Sequence, residues 1–310
     1  MMHKVFIDGA HGTTGLRINE YLAGRSDIQI LEIDPDKRKD NEARISMIKE
    51  ADVSILCLPD QASKEIAELA PKDAVLIDTS TAHRTDPGWV YGMPELTPDQ
   101  REKIRNSTRI ANPGCHASGF ILLVRPLIDA GLLDRGALLT CFCMTGYSGG
   151  GKKMIAGYES DGRPLALDSP GQYALGQSHK HLPEMVQMTG LASAPCFSPV
   201  VADFYSGMVM TVPLHSAMLR SGAGINDVKN TLHKRYDAEP LIKVYDEAPE
   251  GGTVYSNPMS GSNGMEIYVT GNDERILLIA SYDNLGKGAS GAAVQNMNIV
   301  LGTEETAGLV

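Results

Sequence analysis

Cys115 is the residue around which a reaction could be built. It lies in Asn112-Pro113-Gly114-Cys115-His116-Ala117-Ser118-Gly119, just ahead of the apolar run Phe120-Ile121-Leu122-Leu123-Val124. Pro113 and Gly114 punctuate a loop, and the run behind them reads as a buried helix, so the thiol falls in that helix's first turn. Unpaired backbone N–H groups and the positive end of the helix dipole favour a thiolate there. A free cysteine is otherwise most often a small buried hydrophobe. A thiolate nucleophile needs an acid–base partner that works near neutrality, and imidazole is the usual one. Gln177-Ser178-His179-Lys180-His181-Leu182-Pro183-Glu184 offers two imidazoles and a carboxylate. His179 and His181, as alternate residues of an extended stretch, would point the same way. His181 is the favoured partner, because Pro183 fixes the backbone after it and Glu184 is near enough to orient its ring; His179 is the alternative. The H-x-H pair also invites zinc, but no third or fourth ligand stands at helical or hairpin spacing, so no metal is expected. His116, adjacent to the thiol, would point elsewhere and reads as structural.

These residues need a frame, and the chain before Cys115 reads as one. Val5-Phe6-Ile7 is a short buried strand running into Gly9-Ala10-His11-Gly12-Thr13-Thr14-Gly15, followed by Leu16, Ile18, Tyr21 and Leu22 on a helical stripe. Strand, glycine turn and helix in that order form the context of a dinucleotide fingerprint: backbone can approach a pyrophosphate, and the helix N-terminus binds it. Gly9, Gly12, Thr13, Thr14 and Gly15 are therefore cofactor candidates, although the spacing is G-x-x-G-x-x-G rather than G-x-G-x-x-G. A second strand, 28–33, ends at Asp34, where an acid reads the ribose hydroxyls of NAD. Lys37, Arg38 and Lys39 follow at once and suit a 2′-phosphate instead, or a plain solvated turn. Strands over 53–59 and 74–77, with a helix from about Gln61 to Leu69 between them, continue the alternation and predict a parallel, doubly wound sheet covered on both faces. Ligands sit at the carboxyl ends of such strands, where Pro59, Ser80 and then Arg84 fall. A strand at Arg109-Ile110-Ala111 leads into Cys115 and is expected to bring the thiol to the same edge as the cofactor.

Beyond residue 130 the pattern changes. Strands over 138–144, 208–214, 241–245, 266–269 and 276–282 are separated by longer loops and few helices, which suggests an α+β domain with a mostly antiparallel sheet. The glycine-rich loop Gly146 to Lys153 follows the first of them. Glu250-Gly251-Gly252 and Ser260-Gly261-Ser262-Asn263-Gly264 look like mobile loops, and 287–298 is a helix whose small residues could pack closely on another backbone. At 310 residues the chain suits two domains. A net charge of −10 argues against non-specific nucleic-acid binding, and no apolar run reaches membrane-spanning length. The N-terminus turns polar at Asp8, so no signal peptide is expected. Five irregularly spaced cysteines suit a reducing cytoplasm, with Cys141 and Cys143 in the core.

With these pieces assembled, the chain resembles the short-form N-acetyl-gamma-glutamyl-phosphate reductases over essentially its whole length. The similarity is carried by Gly9 to Gly15, Asp78-Thr79-Ser80 with Arg84, Tyr91-Gly92-Met93-Pro94-Glu95-Leu96, Asn112-Pro113-Gly114-Cys115, Ser148-Gly149-Gly150-Gly151-Lys152, His179 to Glu184 and Asn284-Leu285-Gly286-Lys287-Gly288-Ala289. Two blocks depart from the family: its common Asn-Pro-Gly-Cys-Tyr reads with His116 here, and its Asp-Leu-Ser-Ala-Asp-Phe-Arg reads Asp-Thr-Ser-Thr-Ala-His-Arg. The resemblance implies a fold like the aspartate-semialdehyde and glyceraldehyde-3-phosphate dehydrogenases. It divides the chain into a Rossmann-type domain, 1–114 with a C-terminal helix in 285–310, and a catalytic and oligomerisation domain, 115–284. It further implies NADP(H), held by the glycine loop with Lys37, Arg38, Ser80 and Asn284. Arg84, Ser148, Lys152 and Glu184 would hold a small acyl phosphate, inorganic phosphate would leave, and Cys115 would carry a thioester, in arginine biosynthesis. A homo-oligomer, dimer or tetramer, is expected, with no nucleic-acid or membrane partner. A reductase of an aminoadipyl- or aspartyl-type acyl phosphate, or a non-catalytic NADPH sensor on the same scaffold, are the alternatives.

Overall fold

A computed structural model describes residues 2–310, which divide into two compact units, 2–114 with 289–310 and 115–288. In the first unit, β1 (His3–Asp8), α1 (Thr13–Leu22), β2 (Ile28–Leu31), α2 (Asn41–Glu50), β3 (Val53–Leu56), α3 (Asp60–Leu69) and β4 (Leu76–Asp78) alternate as expected. Then follow β5 (Val90–Tyr91), α4 (Gln100–Arg105) and β6 (Arg109–Ala111). The strands lie in the order β2-β1-β3-β4-β6-β5 and every neighbouring pair is parallel. Chain order reverses between β1 and β3, so the crevice at their carboxyl ends is the switch point where such sheets take ligands. Every residue of β3 and β4 is buried, as a sheet covered on both faces requires. Ile48 of α2 and Ile66 of α3 pack on Phe6, Leu56 and Leu76.

The second unit opens with α5 (Cys115–Asp129), followed by β7 (Thr140–Gly146), α6 (Gly151–Tyr158), β8 (Gly171–Gln172), α7 (Leu182–Thr189), β9 (Cys196–Ala202) and β10 (Met208–His215). After α8 (Ile225–Tyr236) come β11 (Ile242–Tyr245), β12 (Met265–Gly271) and β13 (Arg275–Tyr282). The sheet runs β11-β12-β13-β10-β7-β9-β8; the β11–β12 and β7–β9 pairs are parallel and the rest antiparallel. The strand β9 escapes sequence reading because Pro199 interrupts it, and proline is ordinarily confined to sheet edges. It is tolerated here because the neighbouring β8 is two residues long. Unit 2 also holds more helix than its sequence pattern suggests, since the Val228, Leu232 and Tyr236 stripe of α8 is diluted by charged neighbours.

Two further readings change. The 260–264 loop is built in tightly: Asn263 is buried and Gly261 N–H donates to Asp283 Oδ2 at 2.8 Å. Its small residues serve close approach, because a Cβ on Gly286 would stand 2.0 Å from the Ser262 carbonyl oxygen. Residues 285–288, expected with the nucleotide unit, fall in the second unit as part of a π-helical turn, Gly286–Ser290. The last helix, α9 (Gly291–Leu301), belongs to the first unit, where it contacts α1, α4, β3 and β4. Gly92 admits it closely, since a Cβ there would lie 2.5 Å from Asn296 Nδ2.

The helix α5 is buried along nearly all its length yet contains Pro126. Proline has no N–H, so the Leu122 carbonyl loses its helical donor. The Tyr236 hydroxyl of α8 donates to that carbonyl at 2.7 Å and replaces it. Tyr236→Phe should therefore cost about 1–3 kcal/mol in urea unfolding, the cost of a buried carbonyl left without a donor. In a Pro126→Ala background, where the helix supplies its own donor, the same change should cost measurably less; equal costs in the two backgrounds would exclude this account.

Candidate active site

Cys115 is the first residue of α5, half-buried, and its backbone is held within its own unit. The Tyr282 hydroxyl, at the end of β13, donates to the Cys115 carbonyl at 2.7 Å and accepts from Gly119 N–H at 3.2 Å. Gly119 is required for this bracket, because a Cβ there would stand 2.6 Å from the tyrosine oxygen. Gly288 closes the other side: a Cβ on it would lie 2.9 Å from the Cys115 Cβ. The thiol is thus fixed from below by a phenol and flanked by bare backbone.

His116 does not point away. Its Nδ1 lies 3.4 Å from Cys115 Sγ and its Nε2 lies 3.0 Å from the Tyr173 hydroxyl. In a first helical turn a long side chain leans back toward the N-terminus, which lays the ring beside the preceding residue's thiol. Burial, with His179 and Lys180 adding to it, pushes the His116 pKa down to about 3, so the ring is neutral at ordinary pH. Burial likewise holds the Tyr173 phenol well above its usual value.

The histidine segment reaches the thiol by a different geometry from the extended one expected. Tyr173 N–H donates to Pro199 C=O at 3.1 Å, and Gln177 exchanges two hydrogen bonds, 2.8 and 2.9 Å, with the backbone of Phe197 on β9. Ala174 and Gln177 adopt φ of +53° and +52°, conformations that non-glycine residues hold only when their surroundings enforce them. The chain then turns, and His181 becomes the N-cap of α7 with helical dihedrals. His179 and His181 meet edge to face, 4.7 Å between centroids, and lie 5.5 and 5.3 Å from the His116 ring. Cys115, His116 and His181 each present a donor atom within 4.8 Å of the others. Glu184, buried in the first turn of α7, stands 3.9 Å from His181 Nε2. Ser148 is buried and its Oγ accepts from Asn284 Nδ2 at 3.0 Å, while Asn284 Oδ1 accepts from Gly207 N–H at 2.9 Å. Asn284 therefore braces the loop after β7. Lys152, in the first turn of α6, is exposed.

In the first unit a cleft of about 590 Å3 opens at the switch point, lined by Asp8 to Gly12, Glu32, Arg38, Lys39, Arg44 and Cys57 to Pro59. Gly9 takes φ +88°, and a Cβ on it would meet the Cys57 carbonyl oxygen at 2.3 Å; a Cβ on Gly15 would meet the Gly9 oxygen at 2.5 Å. The loop is wound so closely that only glycine fits at these two positions, and Gly12 caps α1 with no side chain to bond its first-turn N–H groups. That is the cradle a pyrophosphate needs. Arg38 and Lys39 lie on its rim, whereas Lys37 lines a neighbouring depression and Asp34 accepts from Asp36 N–H instead of facing the cleft. Glu32, Arg44 and Asp8 escaped the sequence reading. Burial raises the Asp8 pKa to about 6, against the pull of Arg44, whose Nε is 3.5 Å away. Thr13 and Thr14 open α1, and Ser80 sits in the Asp78 network, donating its Oγ–H to Asp78 Oδ2 at 2.7 Å. Arg84 is buried, with Nε on the Asn112 carbonyl and Nη2 on the Thr79 carbonyl, at 2.9 and 3.1 Å. Those two bonds make it a brace of the loop before Cys115.

Residues 4–104 match the family model described as the semialdehyde dehydrogenase NAD binding domain, and residues 115–284 match the semialdehyde dehydrogenase dimerisation domain. A Nostoc protein named N-acetyl-gamma-glutamyl-phosphate reductase 2 is 43% identical over 321 residues, covering 99% of each chain. A Rhizobium meliloti protein named N-acetyl-gamma-glutamyl-phosphate reductase is 43% identical over 308 residues, covering 97% of this chain and 99% of its own. Among solved structures, aspartate semialdehyde dehydrogenase II from Vibrio cholerae, complexed with ASA, shares the fold with a TM-score of 0.71 at 18% identity, over 97% of this chain and 98% of its own. Aspartate semialdehyde dehydrogenase from Francisella tularensis gives a TM-score of 0.72 at 14% identity, over 97% of this chain and 100% of its own. No helix among the described residues is long and apolar enough to cross a membrane. By the full-length identity and both domain matches, the chain belongs to the N-acetyl-gamma-glutamyl-phosphate reductase family of semialdehyde dehydrogenases.

Proposed function

We propose that the chain is a cytoplasmic, homo-oligomeric reductase that uses NADPH to convert N-acetyl-L-glutamyl 5-phosphate to N-acetyl-L-glutamate 5-semialdehyde in arginine biosynthesis, through a thioester on Cys115. The observation that carries this reading is the thiol at the head of α5 with the His116 and His181 donor atoms within 4.8 Å. The names of the relatives supply the substrate, and the dimerisation domain matched over 115–284 supports the oligomer. The cleft suits a dinucleotide: the glycine loop and the start of α1 would hold its pyrophosphate, with Arg38 and Lys39 at a 2′-phosphate. When bound, the reduced nicotinamide supplies hydride to a carbonyl carbon.

The chain's own residues do the rest. The Cys115 thiolate attacks the acyl carbon, the carbon–oxygen bond to phosphate breaks, and inorganic phosphate leaves behind a thioester. After reduction an imidazole protonates the oxygen of the resulting thiohemiacetal; as the carbon–sulfur bond breaks, the imidazole takes that proton back, and aldehyde leaves with the thiolate restored. The burial that keeps His116 uncharged makes it a poor proton donor, which leaves His181 as the acid–base residue and Glu184 as its orienting neighbour. Lys152 is the proposed contact for the leaving phosphate, Ser148 holds the substrate loop, and Arg84 supports the cysteine loop. The reaction run backward, phosphate-dependent reduction of NADP, should proceed with N-acetyl-glutamate semialdehyde far faster than with aspartate semialdehyde, and should vanish in Cys115→Ala with NADPH binding retained. Preference for aspartate semialdehyde would move the enzyme to a different substrate, and full binding without any turnover would make it a sensor. His181→Asn should lower kcat on the order of 10²–10⁴-fold, while His179→Asn mainly raises KM. Replacing Arg38 and Lys39 together by Ala should reduce the NADPH-over-NADH preference, and Lys37→Ala should leave it unchanged; the reverse pattern would transfer the 2′-phosphate contact to Lys37.

A further inference from the structure

We infer that Cys115, His116 and His181 form a site for a thiophilic divalent cation of the zinc type. The three donors come from two separate segments, the head of α5 and the cap of α7, and they converge within 4.8 Å of one another. A tetrahedral zinc with bonds of about 2.3 Å to sulfur and about 2.0–2.1 Å to nitrogen sets sulfur and nitrogen about 3.6 Å apart. Cys115 Sγ and His116 Nδ1 are 3.4 Å apart, so that edge of the tetrahedron is already formed. His181 completes the set by a ring movement within the 4.8 Å span.

The surroundings suit a ligand set as well as a catalytic pair. A metal-binding imidazole needs its other nitrogen held by a hydrogen-bond partner, which fixes the tautomer. His116 has one, the Tyr173 hydroxyl 3.0 Å from its Nε2; in the tautomer that carries its proton on Nε2, the Nδ1 lone pair faces the sulfur. Glu184 stands in the corresponding place beside His181, 3.9 Å from Nε2. One thiolate and two imidazoles select zinc or cobalt over magnesium or calcium, which take hard oxygen ligands. Three protein ligands leave a fourth position for water. On binding, the thiol proton passes to solvent and a sulfur–metal bond takes its place. The H-x-H pair looked insufficient in sequence because the other ligands of His181, namely His116 and Cys115, lie 65 and 66 residues upstream (181 − 116 = 65; 181 − 115 = 66), and only the fold brings them together. Occupancy would take the thiolate out of reaction; that consequence rests on the proposed nucleophilic role of Cys115, whereas the binding does not.

Cobalt is the probe, because thiolate coordination gives an intense near-ultraviolet charge-transfer band and four-coordination gives strong visible bands. Titrating the metal-free protein with Co2+ should produce both at one equivalent, and Zn2+ should displace them. Cys115→Ser should abolish the charge-transfer band, and His116→Phe should abolish the four-coordinate signature. Tyr173→Phe should weaken binding about 10- to 100-fold. Zn2+ should also slow alkylation of Cys115 by iodoacetamide in the unmodified protein, a readout that needs neither a variant nor turnover. No charge-transfer band, a band that survives Cys115→Ser, an unchanged spectrum in His116→Phe, or alkylation indifferent to Zn2+ would each overturn the site.

Discussion

The second unit depends on a single phenol placed against the first turn of a helix. In a regular α-helix the carbonyl of residue 115 would take the N–H of residue 119. Here the Tyr282 hydroxyl bonds both partners of that pair, so β13 is tied directly into the first turn of α5. Burial keeps the phenol protonated, and a protonated hydroxyl is the one state that can donate and accept at once. The position of the thiol is therefore set by the sheet, with no flexible loop between. Gly119 and Gly288 follow from this constraint, since any side chain at either place would push the tyrosine or the cysteine out of register.

The first unit has its own organising group in Asp78. Its buried carboxylate accepts from Ser63 Oγ, Ser80 N–H and Ser80 Oγ, and pairs with His83 Nδ1, all between 2.6 and 2.9 Å. His83 in turn stacks on Trp89 at 4.0 Å. A carboxylate so occupied fixes the loop from Thr79 to Arg84, and Arg84 carries that order onward to the Asn112 carbonyl. Asn112 is held further by the Asp78 carbonyl and by Asn296 of α9. The segment that delivers Cys115 is thus rigid up to the residue before the thiol's own helix begins.

Local patterns in the chain were legible wherever chemistry and periodicity agreed. The glycine loop, the buried strands β1, β3 and β4, and the helix behind Cys115 could all be read from neighbouring residues alone. What escaped was non-local or masked. Tyr173 and Tyr282 look like ordinary aromatics until the fold carries their hydroxyls to His116 and Cys115. Lys37, Arg38 and Lys39 are indistinguishable in sequence, and the short 3₁₀ turn Pro35–Lys37 decides which of them face the cleft. The segment from His179 to His181 turns instead of extending, because Gln177 clamps the backbone of Phe197 and forces the bend before it. His116 was misjudged on adjacency: neighbours in sequence diverge along a strand, but in the first turn of a helix a leaning ring can lie against the thiol before it.

The division of the chain into 1–114 with 289–310 around an uninterrupted 115–288 has a consequence for its birth. A ribosome releases the nucleotide sheet first, yet the helix that covers β3 and β4 emerges only after the whole inserted unit. Arg25 waits for Asn298 and the Ala307 carbonyl, and Arg101 for Glu305, until the inserted unit has been made. The inserted unit, contiguous and self-contained, can close while its predecessor is still bare along one side. A ribosome that stalls before α9 has been made would strand an exposed parallel sheet, the kind of surface that chaperones and proteases recognise.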